Sequence, residues 1–208
     1  MIYDITRPLS PRTAVFPGDV PVQIAPTMAM RDGDSCNVTA LTLSAHAGTH
    51  VDAPRHYSDE GCGVDAIPLD ILIGPARVIS LTVGPAITIA DLQRALSGVS
   101  FPSRLLVHTL ASEQSGDAWS SDFPNFAPEA AEWLGANGLR LIGTDAPSVD
   151  PADSKDLPAH KAFLRYGVFI LENICLRDVP DGDYQLIALP LRLVGGDAAP
   201  ARAVLVTR

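Results

Sequence analysis

Seven short apolar runs, each closed off by glycine, proline or a polar turn residue, constrain this chain more than any other feature. They are residues 38–46, 76–83, 104–110, 139–144, 167–173, 184–189 and 202–207. Their brevity, their β-branched content and their breakers favour strands over buried helix. In 38–46 (VTALTLSAH) β-branched and apolar residues alternate with small or polar ones. Two segments carry helical patterns instead. In 88–97, Thr88 and Asp91 have the spacing of an N-cap and its return partner, and Leu92, Ala95 and Leu96 share a face. In 127–138, Pro128 suits a first helical turn and Glu129 lies near the positive end of the dipole, while Gly135 or Gly138 can end the helix. A third, shorter helix is expected through Pro158–Phe163. Helices interspersed among many strands predict a mixed α/β fold whose sheet curves towards a barrel, with strand order left open.

The chain has 208 residues and shows no internal repeat, low-complexity run or long linker, so one domain over 1–208 is expected. A net charge of −9 with no Lys/Arg-rich run argues against nucleic acid as a partner. No stretch is long and apolar enough to cross a bilayer, and Asp4 interrupts what a signal peptide would need as an apolar run. Cys36, Cys62 and Cys175 are odd in number and widely spaced, which fits neither a disulfide framework nor a Cys-type zinc site. They read as packing thiols of a cytoplasmic protein, with one reactive thiol left possible.

Chemistry concentrates in His46-Ala47-Gly48-Thr49-His50-Val51-Asp52-Ala53-Pro54-Arg55-His56. Three of the five histidines and one aspartate fall within these eleven residues. His46 is expected to end the first strand, with Gly48 allowing a tight backbone just after it. His50 and Asp52 are two apart, so an extended backbone points both to one side. Pro54 fixes the chain direction before His56. Imidazole nitrogen and carboxylate oxygen suit Zn²⁺, Mn²⁺ or Fe²⁺, and a carboxylate can bridge two ions, so Asp52 is the place to look for a dinuclear site. The competing reading is a hydrogen-bonded polar loop. The spacing is not the helical H-E-x-x-H of metalloproteases, and neither a G-x-S-x-G elbow nor a phosphate-binding glycine loop occurs.

Outside this stretch, Glu172 ends the apolar run Val168–Leu171, where an unpaired carboxylate is costly to bury. It must reach solvent, an arginine or a metal ion. His160 follows Pro158-Ala159. Asp145 either orients a ligand or caps a turn, and Asp122 and Asp150 read as turn residues.

The pattern H-x-G-T-H-x-D-x-P-x-H, His46 to His56 here, resembles the signature of the metal-dependent cyclase family of small hydrolases. Further blocks resemble its formamidase branch: Phe16-Pro17-Gly18-Asp19, Pro68-Leu69-Asp70, Ser121-Asp122-Phe123-Pro124, Leu141-Ile142-Gly143-Thr144-Asp145 and Leu186–Leu191. The resemblance implies a swivelling β/β/α domain, a homodimer and two Zn²⁺ per subunit, with Mn²⁺ as the other candidate. His46, His50 and Asp52 would bind the first metal. Asp52 would bridge to a second, completed by His160 and Glu172, and His56 would carry the proton. Phe16 stands where the family commonly has Trp against the substrate's ring; Phe keeps a stacking face and loses the indole N–H. The implied reaction is hydrolysis of the formyl–aryl nitrogen bond of N-formyl-L-kynurenine. The alternatives are opening of a cyclic amide such as isatin, or a metal-binding protein without catalysis.

Overall fold

The computed structural model describes residues 1–207. Its elements in chain order are β1 (Ile2–Asp4), β2 (Gln23–Met28), β3 (Val38–Thr42), β4 (His50–Asp52), α1 (Leu69–Leu72), β5 (Ile73–Ser80), β6 (Ala86–Ile87), α2 (Ile89–Ala95), β7 (Arg104–His108), β8 (Asn125–Phe126), α3 (Pro128–Ala136), β9 (Leu141–Thr144), α4 (Pro158–Arg165), β10 (Phe169–Glu172), β11 (Gly182–Pro190) and β12 (Ala198–Thr207). The expected mixed α/β fold is present, and the sheet does more than curve. It runs β12-β11-β5-β7-β9-β10-β4 and closes where β4 pairs with β12, with β1 flanking β12. The β5-β7-β9-β10 sector is parallel and the remaining pairs are antiparallel.

Alternation along the strands sorts their side chains into two cores. Leu106, Leu141 and Leu171 join Val51, Leu186, Ala203 and Leu205 in one cluster. Their neighbours Leu105, Val107, Ile142 and Ile170 face the helices, packing with Leu92, Leu134 and Phe163. The ring therefore has one layer of core within it and a second beneath α2, α3 and α4. Phe126 meets Phe163 edge-on at 5.7 Å between ring centroids in that second layer.

The helices follow their sequence signals. Thr88 and Asp91 form the reciprocal capping box at the start of α2, and Pro128 and Pro158 open α3 and α4. Thr88→Ala is expected to lower unfolding free energy by about 1 kcal/mol, as loss of an N-cap typically does, and denaturant unfolding would show it as a lower midpoint with unchanged slope.

One expectation needs correction. The strand expected over 38–46 stops at Thr42, so His46 does not end a strand. It stands in a turn where the Ser44 side chain accepts from the His46 amide at 3.2 Å and the Ser44 carbonyl accepts from the Ala47 amide. Also, β4 is a strand that no periodicity announced, because three residues are too few to show one. β2 and β3 form a separate two-stranded ribbon with every residue exposed.

Candidate metal centre and active site

The site grows from β4, which lies between β10 and β12 and is wholly buried. His50 pairs directly with Glu172 across the β4–β10 ladder, and Asp52 pairs with Ile170. Ile170 packs in the helix-covered core, so alternation puts Glu172, His50 and Asp52 on that same face. Val51 and Leu171 point the other way, into the core within the ring. From above, α4 lowers His160 onto the group.

Several residues of the eleven-residue stretch have a local reason to be there. Gly48 takes φ +64°, and a Cβ there would stand 2.7 Å from Leu9 Cδ2. The Gly48 carbonyl lies 2.9 Å from His50 Nδ1, which fixes that nitrogen as the donor and turns Nε2 inward. The Thr49 hydroxyl donates to the Asn173 carbonyl and accepts from the Arg7 amide, tying the stretch to the residue just after β10 and to the N-terminal segment. Pro54 begins a 3₁₀ turn over Pro54–His56 that carries His56 to the rim.

The inward groups converge. His50 Nε2 stands 3.2 Å from Asp52 Oδ1 and 3.4 Å from Glu172 Oε2. His160 Nε2 stands 3.5 Å from Asp52 Oδ2 and 3.7 Å from Glu172 Oε1, and His46 Nδ1 is 3.1 Å from Asp52 Oδ1. Yet Nε2 of both His50 and His160 and both oxygens of Asp52 are buried without a well-formed hydrogen bond. Leaving four such atoms unsatisfied is costly, and a cation at their centre is what the set suits. Ligand atoms of His50, Asp52 and Glu172 lie within 4.8 Å of one another, and so do those of His46, Asp52 and His56. Asp52 belongs to both groups, as a bridging carboxylate would. Among the described residues no arginine pairs with Glu172; it accepts from the Val149 amide at 2.8 Å.

Charge compensation inside the cluster points the same way. Burial works to lower the pKa of His50, but the nearby Asp52 and Glu172 push it up to about 10. Burial opposes protonation of His160 too, and Asp150 with Asp52 raises it to about 10. Burial would raise Asp52, while His160, His46 and His50 hold it well below the usual carboxylate range. Among side chains alone, imidazolium must balance the buried carboxylates; a divalent cation would do so with the imidazoles neutral. His56 differs, since burial lowers it and no carboxylate fully restores it.

Two neighbouring carboxylates refine the sequence reading. Asp150 is not a mere turn residue. It is fully buried, caps α4 by accepting from the amides of Ala159 and His160, and contacts His160 Nδ1 at 2.6 Å, leaving Nε2 for the centre. Asp145 proves to be a cap: it accepts from the amides and hydroxyls of Thr109 and Ser112. Asp197 was not anticipated at all. Its Oδ2 lies 3.1 Å from His46 Nε2 and 3.8 Å from His56 Nδ1. Following Gly195-Gly196, it carries only the sequence signal of a hairpin turn.

A cavity of about 550 Å³ opens onto His46, His50, His56, His160 and Glu172. Phe16 is among its lining residues, and Trp119 meets Phe16 edge-on at 5.2 Å with Phe123 beyond. Trp119 gave no sign in the sequence, since one tryptophan in an irregular segment has no periodicity to mark it. A pocket of this size, with aromatic walls and a polar floor, suits a small aryl ligand.

Comparison with known proteins agrees with this geometry. The sequence is 46% identical over 205 residues to a kynurenine formamidase of Salinibacter ruber, covering 98% of this chain and 96% of that protein. The fold matches a structure described as a "predicted metal-dependent hydrolase" from Bacillus stearothermophilus, with TM-score 0.84 and 32% identity over 99% of this chain and 97% of that one. It also matches isatin hydrolase A of Labrenzia aggregata, with TM-score 0.84 over 100% and 94% of the two chains; at 24% identity that likeness speaks for the fold alone. A sequence model of the Cyclase family, described as "Putative cyclase", matches residues 3–151, and with that span and these relatives the chain belongs to the Cyclase family.

Proposed function

We propose that this chain hydrolyses N-formyl-L-kynurenine to L-kynurenine and formate, using divalent metal held at the buried cluster. The observation that carries the reading is the set of unpartnered buried polar atoms of His50, Asp52 and His160 at the floor of an aromatic-walled cavity. The relative at 46% identity bears the name of that activity. His46, His50 and Asp52 would hold one ion, and Asp52 would share a second with His160 and Glu172. Zn²⁺ is the expected metal, two per subunit, and Mn²⁺ the other that these ligands accept. When bound, such ions supply Lewis-acid polarisation of the formyl oxygen and make water acidic enough to attack.

The chain's own part follows from its geometry. Gly48 and Asp150 fix which nitrogen His50 and His160 present. The formyl group sits over these donors while the aryl ring lies against Phe16 and Trp119. The side chain of His56 is 32% exposed, against 22% for His46, 3% for His50 and 2% for His160, so it is the imidazole most open to the cavity and freest to exchange a proton. As the oxygen–carbon bond forms and the carbon–nitrogen bond breaks, His56 takes the proton from water and delivers it to the departing aniline nitrogen. The products belong to tryptophan breakdown through kynurenine.

The reading extends to context. The three cysteines are unpaired, as a reducing cytoplasm keeps them. Among the described residues no helix is long and apolar enough to cross a membrane. A two-stranded ribbon is marginal alone, and the exposed β2–β3 ribbon carries Ile24, Met28, Val38 and Leu41 to solvent, which supports a homodimer. Sedimentation equilibrium is expected to give twice the 22.0 kDa chain mass; a single-chain mass at micromolar concentration would refute the dimer.

The function is tested by mixing purified protein with N-formyl-L-kynurenine and following kynurenine absorbance, with and without a chelator. Turnover that chelation abolishes and zinc restores is the expected result. Zinc-loaded protein that leaves this substrate intact but opens isatin would replace the substrate and keep the hydrolase.

A further inference from the structure

Asp197 sits on a turn that the fold holds rigidly. Its carbonyl accepts from the Ala53 amide at 2.9 Å, one residue beyond Asp52 and three before His56. The Gly196 carbonyl accepts from the Val64 amide at 2.8 Å, and the Gly195 amide donates to Asp65 Oδ1 at 2.8 Å. Contact there is so close that a Cβ on Gly63 would stand 2.7 Å from Gly195 Cα. Three hydrogen bonds and this close packing thus fix where the Asp197 carboxylate points. It points to His46 Nε2 at 3.1 Å, and His56 Nδ1 lies 3.8 Å from the same oxygen. The two rings lie 4.2 Å apart between centroids. His46 differs from its fellow donors in one respect. His50 is oriented by its own turn and His160 by the fully buried Asp150, whereas the outer partner of His46 among the described residues is the half-exposed Asp197.

We propose that Asp197 is a positioning residue that holds the outer nitrogen of His46, so that Nδ1 faces Asp52, with the ring of His56 at ion-pair distance from the same oxygen. The inference rests on the metal-centre reading above. A carboxylate behind a metal-ligating imidazole sets its tautomer and its angle, and losing such a partner typically costs about 10- to 100-fold in metal affinity or activity. Because half of the Asp197 side chain is exposed and its backbone is tethered independently, removing the carboxylate leaves the fold its supports.

The test compares wild type, Asp197→Ala and Asp197→Asn, using zinc competition against a chromophoric chelator, the absorption spectrum of the cobalt-loaded protein, and thermal melting. D197A is expected to bind zinc about 10- to 100-fold more weakly and to alter the cobalt spectrum while melting within a few degrees of wild type. D197N retains an acceptor oxygen and should show a smaller loss. At saturating metal, kcat should fall in D197A with KM little changed. Wild-type zinc affinity and cobalt spectrum in D197A would overturn the proposal. So would equal losses in both variants that merely track a lowered melting temperature. If D197A does not fold, D197N decides: weaker zinc at a wild-type melting temperature supports the role, and wild-type affinity rejects it. Wild-type protein that binds metal without hydrolysing N-formyl-L-kynurenine would sink the substrate and leave this test intact, whereas wild type that binds no metal would sink both.

Discussion

Asp52→Ala is expected to lose bound metal and, with it, essentially all hydrolysis. Asp52 is fully buried, and its two oxygens are approached by three imidazoles: His46 and His50 at Oδ1 and His160 at Oδ2. No other side chain belongs to both groups of candidate ligands. Removing it takes away the shared ligand and the charge that offsets the ions. The loss in metal affinity should exceed about 100-fold, the upper end of what an outer partner costs, because a direct and shared ligand is removed. Asp52→Asn keeps the shape but not the charge, and should fall nearly as far. Metal analysis of the purified variants by plasma emission checks this, and full occupancy in either variant would refute the ligand assignment.

His56→Ala should behave in the opposite way, keeping its metal and losing rate. General acid–base residues contribute about 10²- to 10⁴-fold, and a drop of that size in kcat is expected at unchanged metal content. The comparison is sharp because geometry leaves a rival: ligand atoms of His56 lie near enough to His46 and Asp52 to reach a common ion. If His56 were a ligand, occupancy and rate would fall together, and the remaining rate per bound metal would be that of wild type. If it is the proton carrier, the rate per bound metal collapses. Added imidazole or a similar small base restoring part of the H56A rate would support the second account.

The sequence alone determined a good deal. Six apolar runs became β5, β7, β9, β10, β11 and β12, because burial on a sheet selects short β-branched segments, and the seventh became β3, an exposed strand paired only with β2. The three expected helices formed where capping residues and Pro placed their first turns. The two-residue spacing of His50 and Asp52 put them on one side of a strand, since extended backbone alternates regardless of context. Local backbone geometry needs no knowledge of distant residues, so it can be read along the chain.

Closure of the ring and completion of the site depended on distance in space. β4 is strand only because β10 and β12 supply hydrogen bonds on both of its edges, and three residues cannot announce that in advance. The same pairing set Glu172 opposite His50 and showed that the carboxylate has imidazoles beside it where an arginine could have stood. Asp150 and Asp197 look like turn residues along the chain, since a turn aspartate and an aspartate behind an imidazole share one local signal. They part only when the fold brings Asp150 to His160 and, across 151 residues, Asp197 to His46. Orientation of a side chain by a distant partner is a property of the packed tertiary structure, because direction is set by what the folded backbone holds on the far side.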